Sequence, residues 1–205
     1  MSDTIQKKLI ILNDNHKKII DEWFSMLQQW QGKFNGISYN GRKLRAELRR
    51  DSLSEFIVLQ DGYRILANKL INNDSKLAQT YVHYLALQIF VNVAAFAEKN
   101  NDKSPFAAQL SEKIKGGERN YLSELRFERL LTSETPKEFC QRLIRAVKLR
   151  GEKGVNLISI ADGIFLWMQE WDAREHNWPA DTNPFKRLSV RWAMDYFSTK
   201  NNTKE

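Results

Sequence analysis

Cysteine is almost missing from this chain: among 205 residues there is one, Cys140. That excludes an intramolecular disulfide and fits a cytosolic setting. Cys140 lies in an apolar-periodic stretch, where a small buried thiol fills core. Histidine is scarce as well, with His16, His83 and His176 far apart. Asp172 and His176 stand four residues apart, but two ligands are too few for a metal site. Long apolar runs are lacking too. The most apolar stretch, residues 81–97, is interrupted by His83, Gln88 and Asn92 and is shorter than a membrane span. Residues 9–12 are too short for the apolar part of a leader, so no targeting segment is expected. No run alternates with period two, and there is no internal repeat or low-complexity segment.

Nucleophile and phosphate-cradle motifs are also missing. There is no Gly-x-Ser-x-Gly, no P-loop and no dinucleotide fingerprint. Gly116-Gly117 is a lone glycine pair, and Glu124 and Glu128 alternate with Arg126 and Arg129 as in a salt-bridged surface. A catalytic site would have to be assembled from distant residues, for example His83 with Cys140. Nothing calls for a cofactor.

What remains is a basic, helix-rich chain. Hydrophobic residues make up 42%, enough for a folded core, and 32 Lys+Arg against 25 Asp+Glu leave +7. Such a balance favours an acidic partner, nucleic acid among them. Helical periodicity predicts helices over 16–31, 41–50, 55–71, 76–99, a short one from Pro105, then 120–131, 136–149, 157–171 and 185–197. The first carries the stripe Ile19, Ile20, Trp23, Met26, Leu27 and Trp30. Asp51, Ser52 and Ser54 offer caps, and residues 72–75 form a break. Ser104-Pro105 reads as N-cap and first helical residue, and Thr135-Pro136-Lys137-Glu138 as a capping box. The expected architecture is all-α, with two small helical bundles: an N-terminal one over 1–117 and a C-terminal one over 118–205. Leu125, Phe127, Val147, Trp167 and Trp192 are expected in the second core. Trp171 and Trp178 are read as core more than as a ligand platform.

Two stretches concentrate positive charge. In residues 41–50, Arg42, Lys43, Arg45, Arg49 and Arg50 face one acid, Glu47. Arg42, Arg45 and Arg49 fall on one helical face, opposite Leu44 and Leu48. Arginine's planar fork matches phosphate oxygens. The face is either a solvated surface or a polyanion-binding comb. If exposed, Arg45, Arg49 and Arg50 could be replaced with little change in stability. In the second stretch Arg142, Arg145 and Lys148 are spaced i, i+3, i+6, with Arg150 and Lys153 following. Arg119, Arg126 and Arg129 join them if the two flanking helices pair antiparallel. Two such faces could make one positive track, as a nucleic-acid backbone requires.

The ordered set of segments resembles a known family. The set is Gly-Arg-x-Leu-Arg-x-x-Leu-Arg-Arg at 41–50 and Leu-Ser-Glu-Leu-Arg-Phe-Glu-Arg-Leu-Leu at 122–131. Then come Leu-Ile-Arg-Ala-Val-Lys-Leu at 143–149, Val155-Asn156-Leu157 before a helix with Trp167, and Val-Arg-Trp-Ala-Met-Asp-Tyr-Phe at 190–197. It is similar to the small subunit (CasB family) of the type I-E CRISPR Cascade surveillance complex, over about residues 38–198. The resemblance implies an all-α, non-catalytic, cytoplasmic subunit. Its implied partners are the other Cascade subunits, the guide crRNA, the target DNA with its displaced strand, and a second copy of itself. It implies nucleic-acid contact by Arg45, Arg49 and Arg50, and in the C-terminal bundle by Arg119, Arg126, Arg142, Arg145 and Lys148. Contact would be to backbones, with sequence read by guide pairing. The competing expectation is a basic helical adaptor for an acidic protein surface.

Overall fold

The computed structural model describes residues 9–50, 55–71, 77 and 80–198, with Glu55 and Phe56 described in backbone only. The expected caps at 51–54, the break at 72–75 and the end of the chain from 199 lie outside them. Nine α-helices and one two-stranded sheet occur among the described residues. The described residues are therefore all-α apart from that hairpin.

Helix α1 (Asp14–Gln28) starts two residues before the expected point because Asn13 caps it. The Asn13 side chain accepts from the Asn15 and His16 amides, and His16 Nδ1 accepts from the Asn13 amide. The apolar stripe from Ile19 to Leu27 is buried, but Trp30 is 64% exposed. The helix ends at Gln28, so Trp30 has left the 3.6-residue period that would have turned it inward. Between α1 and the first basic helix, where the sequence shows no alternating run, strands β1 (Gly32–Phe34) and β2 (Ile37–Tyr39) pair antiparallel. Asn35 and Gly36 connect them, both with positive φ (51° and 80°), as the tight twist of a two-residue hairpin turn demands.

Helix α2 (Gly41–Arg50) is the first basic helix, with Leu44 and Leu48 buried. Its start is pressed onto the end of α1. A Cβ on Gly41 would stand 1.8 Å from the Met26 carbonyl, and the Arg42 amide donates to Gln29 O at 3.2 Å. Glycine is required there for close approach. A 3-10 turn (Glu55–Leu59) and α3 (Asp61–Leu70) follow.

Helix α4 (Tyr81–Phe96) is the centre of the fold, apolar nearly all round and buried over most of its length. It packs on α1's neighbours α2 and α3, and on α7 (Pro136–Arg150) and α8 (Leu157–Glu175). Its buried Asn92 donates to Leu48 O in α2 (2.8 Å) and accepts the Cys140 thiol hydrogen from α7 (3.4 Å). The short α5 (Phe106–Ser111) packs on α9 (Leu188–Ser198). One continuous apolar cluster thus includes helices from both sides of residue 117.

Several local expectations change. Ser104 is not the cap of α5: Pro105 takes that position, and the Phe106 amide donates to the Ser159 hydroxyl at 3.1 Å. A side chain from α8 satisfies the helix start from across the core. At α7, Thr135 accepts from the Glu138 amide as expected. The Glu138 carboxylate reaches one residue further back, to the Glu134 amide. Helix α6 (Glu124–Leu131) buries Phe127 and Leu130, whereas Leu125 is 58% exposed. An eight-residue helix touching the core along one line cannot bury adjacent positions 125 and 127 alike. Phe127 stacks on Tyr196 at 4.1 Å and Phe139 on Trp167 at 4.3 Å. Val147, Trp167 and Trp192 are buried and Trp171 partly so; Trp178, beyond the end of α8, is exposed and stacks on His176.

Candidate nucleic-acid interface

Helices α6 and α7 do bring their cations together. A groove of about 470 Å³ between them is lined by Arg126, Arg129, Arg142, Arg145 and Lys148, over Leu122, Leu130 and Leu149. None of the described residues lining it is acidic. The groove follows from two sequence patterns. On α7 the i, i+3, i+6 spacing puts Arg142, Arg145 and Lys148 along one edge, while Phe139, Leu143 and Val147 are buried. On α6, Phe127 and Leu130 turn inward and leave Arg126 and Arg129 outside.

Arg142 builds the wall of the groove. It donates to the Arg129 carbonyl and, at 3.2 Å, to the Ser133 hydroxyl, and it pairs with Glu138 one turn back. Those bonds satisfy the C-terminal end of α6 and hold it against α7. Arg126, Arg129, Arg145 and Lys148 are exposed. Five positive charges facing one concavity, with apolar walls, concentrate positive potential where a polyanion would enter.

The α2 cluster divides. Arg42, Lys43, Arg49 and Arg50 are exposed, with Lys43 3.9 Å from Glu47. Arg45 is half-buried: it donates to Gln28 Oε1 (2.7 Å), Ala95 O (2.9 Å) and Ala97 O. Burial, and secondly the neighbouring Arg49, lowers its pKa to about 10, which leaves it charged at neutral pH. Arg49 also donates to Ala95 O, at 2.7 Å. The comb is therefore partly a C-terminal cap for α4, whose last carbonyls lack intrahelical donors.

The two clusters meet at Phe96, the last residue of α4. The Lys148 ammonium lies 4.2 Å from the centre of its ring and the Arg49 guanidinium 5.5 Å. Phe96 and the apolar floor of Leu122, Leu130 and Leu149 are the members that sequence reasoning left out of the site. Arg129 was legible from its spacing, but Phe96 reads as one more core aromatic.

Two expected members stand elsewhere. Arg119 is exposed in the turn before α6, beside the Lys113–Asn120 bridge, and does not line the groove. Arg150 is a correction. Its side chain is 1% exposed, donates to Gln109 O (2.9 Å) and Gly154 O (3.2 Å), and pairs with Glu112 at 2.7 Å. It also lies 4.3 Å from the Tyr121 ring centre. At the C-terminal end of α7 it ties that helix to α5 and cannot meet a ligand outside.

The other chemistry-bearing residues are integrated in the fold. Burial pushes the Cys140 thiol up to about 12, the opposite of an activated nucleophile. His83 shares a hydrogen bond with Gln169 (3.0 Å) and packs on Phe165. Among the described residues no group of three or more His, Cys, Asp or Glu is placed to hold a metal ion. No helix among them is long and apolar enough to cross a membrane.

Compared with known proteins, residues 44–197 match the family model described as CRISPR-associated protein Cse2. No curated protein and no solved structure matches the chain. The matched residues take in most of α2 and all of the α6–α7 groove.

Proposed function

This chain belongs to the CRISPR-associated Cse2 family, the small subunits of CRISPR Cascade complexes, and we propose that it holds nucleic-acid backbones there without catalysing a reaction. The ligands in this reading are the guide RNA–target DNA hybrid and the displaced strand, and the contacts are to phosphates. The neighbours are other Cascade subunits and a second copy of the chain in the cytoplasm. The division into bundles over 1–117 and 118–205 belongs to the same proposal.

One observation carries it: a groove lined, among the described residues, by five cations and no acid, whose Lys148 shares the Phe96 ring with Arg49 of α2. Forming an RNA–DNA hybrid from duplex DNA is close to balanced in free energy. A few charge-assisted backbone contacts therefore suffice to tip it. Phosphates carry no base information, so retention should not depend on target sequence.

The test is DNA binding by assembled complexes over a salt series, wild type against Arg126→Ala/Arg129→Ala/Arg145→Ala. The expected result is weaker retention for every target sequence, with a log–log salt slope flatter by up to about 0.7 per lost single-strand contact. Unchanged affinity and slope would overturn the reading. The adaptor reading draws on the apolar floor of Leu122, Leu130 and Leu149. It requires that the same variant lose a protein partner and keep DNA.

A further inference from the structure

We infer that Phe96 is a positioning residue, which holds Lys148 of α7 and Arg49 of α2 at one point and so joins the two basic clusters into one binding track. This rests on the nucleic-acid reading of the track and names how its two halves are kept in register.

Phe96 is the last residue of α4 and is half-buried, although residues 89–95 before it are all buried. Its ring therefore stands where the core meets the surface, between helices contributed by distant parts of the chain. Two like charges approaching one ring would repel each other without compensation. The ring's negative face attracts both. Arg49 has a second anchor in Ala95 O, the carbonyl of the residue before Phe96. Lys148 is exposed on a long flexible stem, and its ammonium has no ion-pair partner among the described residues. The ring is the contact that restricts it.

That restriction matters for binding. A free lysine loses rotamer freedom when it grips a phosphate, and a lysine held in place beforehand loses less. An ammonium over a ring still has N–H donors to offer, because it carries three and those turned away from the ring remain unused. The α4 end thus serves both clusters. Its carbonyls fix Arg45 and Arg49, and its terminal ring fixes Lys148.

The experiment uses the assembled complex with one target DNA at fixed salt. It compares wild type, Phe96→Met, Phe96→Trp, Arg49→Ala/Lys148→Ala and the triple variant. Methionine keeps apolar bulk and removes the ring; tryptophan keeps a ring. Phe96→Met should weaken binding about three- to tenfold, the size of one or two lost cation–ring contacts, and Phe96→Trp should restore most of it. In the Arg49→Ala/Lys148→Ala background Phe96→Met should add little. Wild-type affinity in Phe96→Met, or an equal further loss in the double-alanine background, would overturn the inference. Wild-type affinity in Arg49→Ala/Lys148→Ala would instead sink the nucleic-acid reading beneath it. Should Phe96→Met melt early, the same comparison is made between Lys148→Ala in the wild-type and Phe96→Trp backgrounds. There the two losses should be equal, and a lost Lys148 effect in Phe96→Trp would overturn the inference.

Discussion

The Arg49 side chain donates to the carbonyl of Ala95 at 2.7 Å, and so closes the end of α4 from a neighbouring helix. Arg45 donates to the same carbonyl at 2.9 Å. A helix end leaves several carbonyls unpaired and slightly negative, and cations are the natural partners. The arginine comb therefore has an inward duty as well as an outward one.

Arg45→Ala should lower stability by about 1 to 2 kcal/mol, because half-buried carbonyls lose a charged donor. Arg42→Ala/Lys43→Ala/Arg50→Ala should stay within about 0.5 kcal/mol of wild type, as exposed substitutions do. Chemical denaturation of wild type and the two variants decides between them. The expectation that Arg45, Arg49 and Arg50 can be removed together without a change in melting holds only if Arg45→Ala is silent.

Arg150→Ala should cost about 2 to 4 kcal/mol, since the Gln109 and Gly154 carbonyls are left without their donor in a buried site. Arg145→Ala, on the same helix but exposed, should not shift the melting curve. In an assembled complex the first variant should lose DNA only in step with its lost stability. A specific DNA defect in a fully folded Arg150→Ala protein would return this residue to the interface.

Trp167→Ala should cost about 3 to 5 kcal/mol. The ring is buried and stacks on Phe139 at 4.3 Å. Leu125→Ala serves as the control, because the exposed leucine leaves no cavity when truncated. Equal losses from the two would mean that α6 packs by another face.

Cys140 and Tyr63 predict an alkaline limit. Burial raises the thiol from an ordinary 9.0 to about 12, and the Tyr63 hydroxyl from 10.0 to about 12. Each is an acid whose folded pKa exceeds its unfolded one. The unfolded chain releases these protons first, so stability is full below about pH 9 and falls as pH rises toward 12. Cys140→Ala should flatten the first part of that fall. Native protein should also resist thiol alkylation at pH 8 until denaturant is added; rapid labelling without it would contradict the buried placement.

Much of this molecule was legible in its sequence because much of it is local. Helical periodicity located most helices to within about five residues, since a 3.6-residue stripe of apolar side chains reports its own burial. The stretch expected as one helix over 55–71 is instead a 3-10 turn (Glu55–Leu59) followed by α3. Thr135-Pro136 marked the start of α7, and the spacing of Arg142, Arg145 and Lys148 put them along one edge. The hairpin was missed although Asn35-Gly36 is a turn signal, because its three-residue strands are too short to show alternation.

What the sequence could not decide is where each cation ends. Arg145 and Arg150 read alike as basic residues on one helix. One faces a groove, and the other is buried because α5 and Gly154 lie across from it. Arg45 is turned inward by the end of α4, and Ser159 caps α5 from another helix. Sequence by itself determined an all-α basic chain and the faces of its helices. Tertiary structure alone decided which arginines hold the fold and which stay free, because an unpaired carbonyl at the end of one helix recruits whatever donor another helix brings beside it.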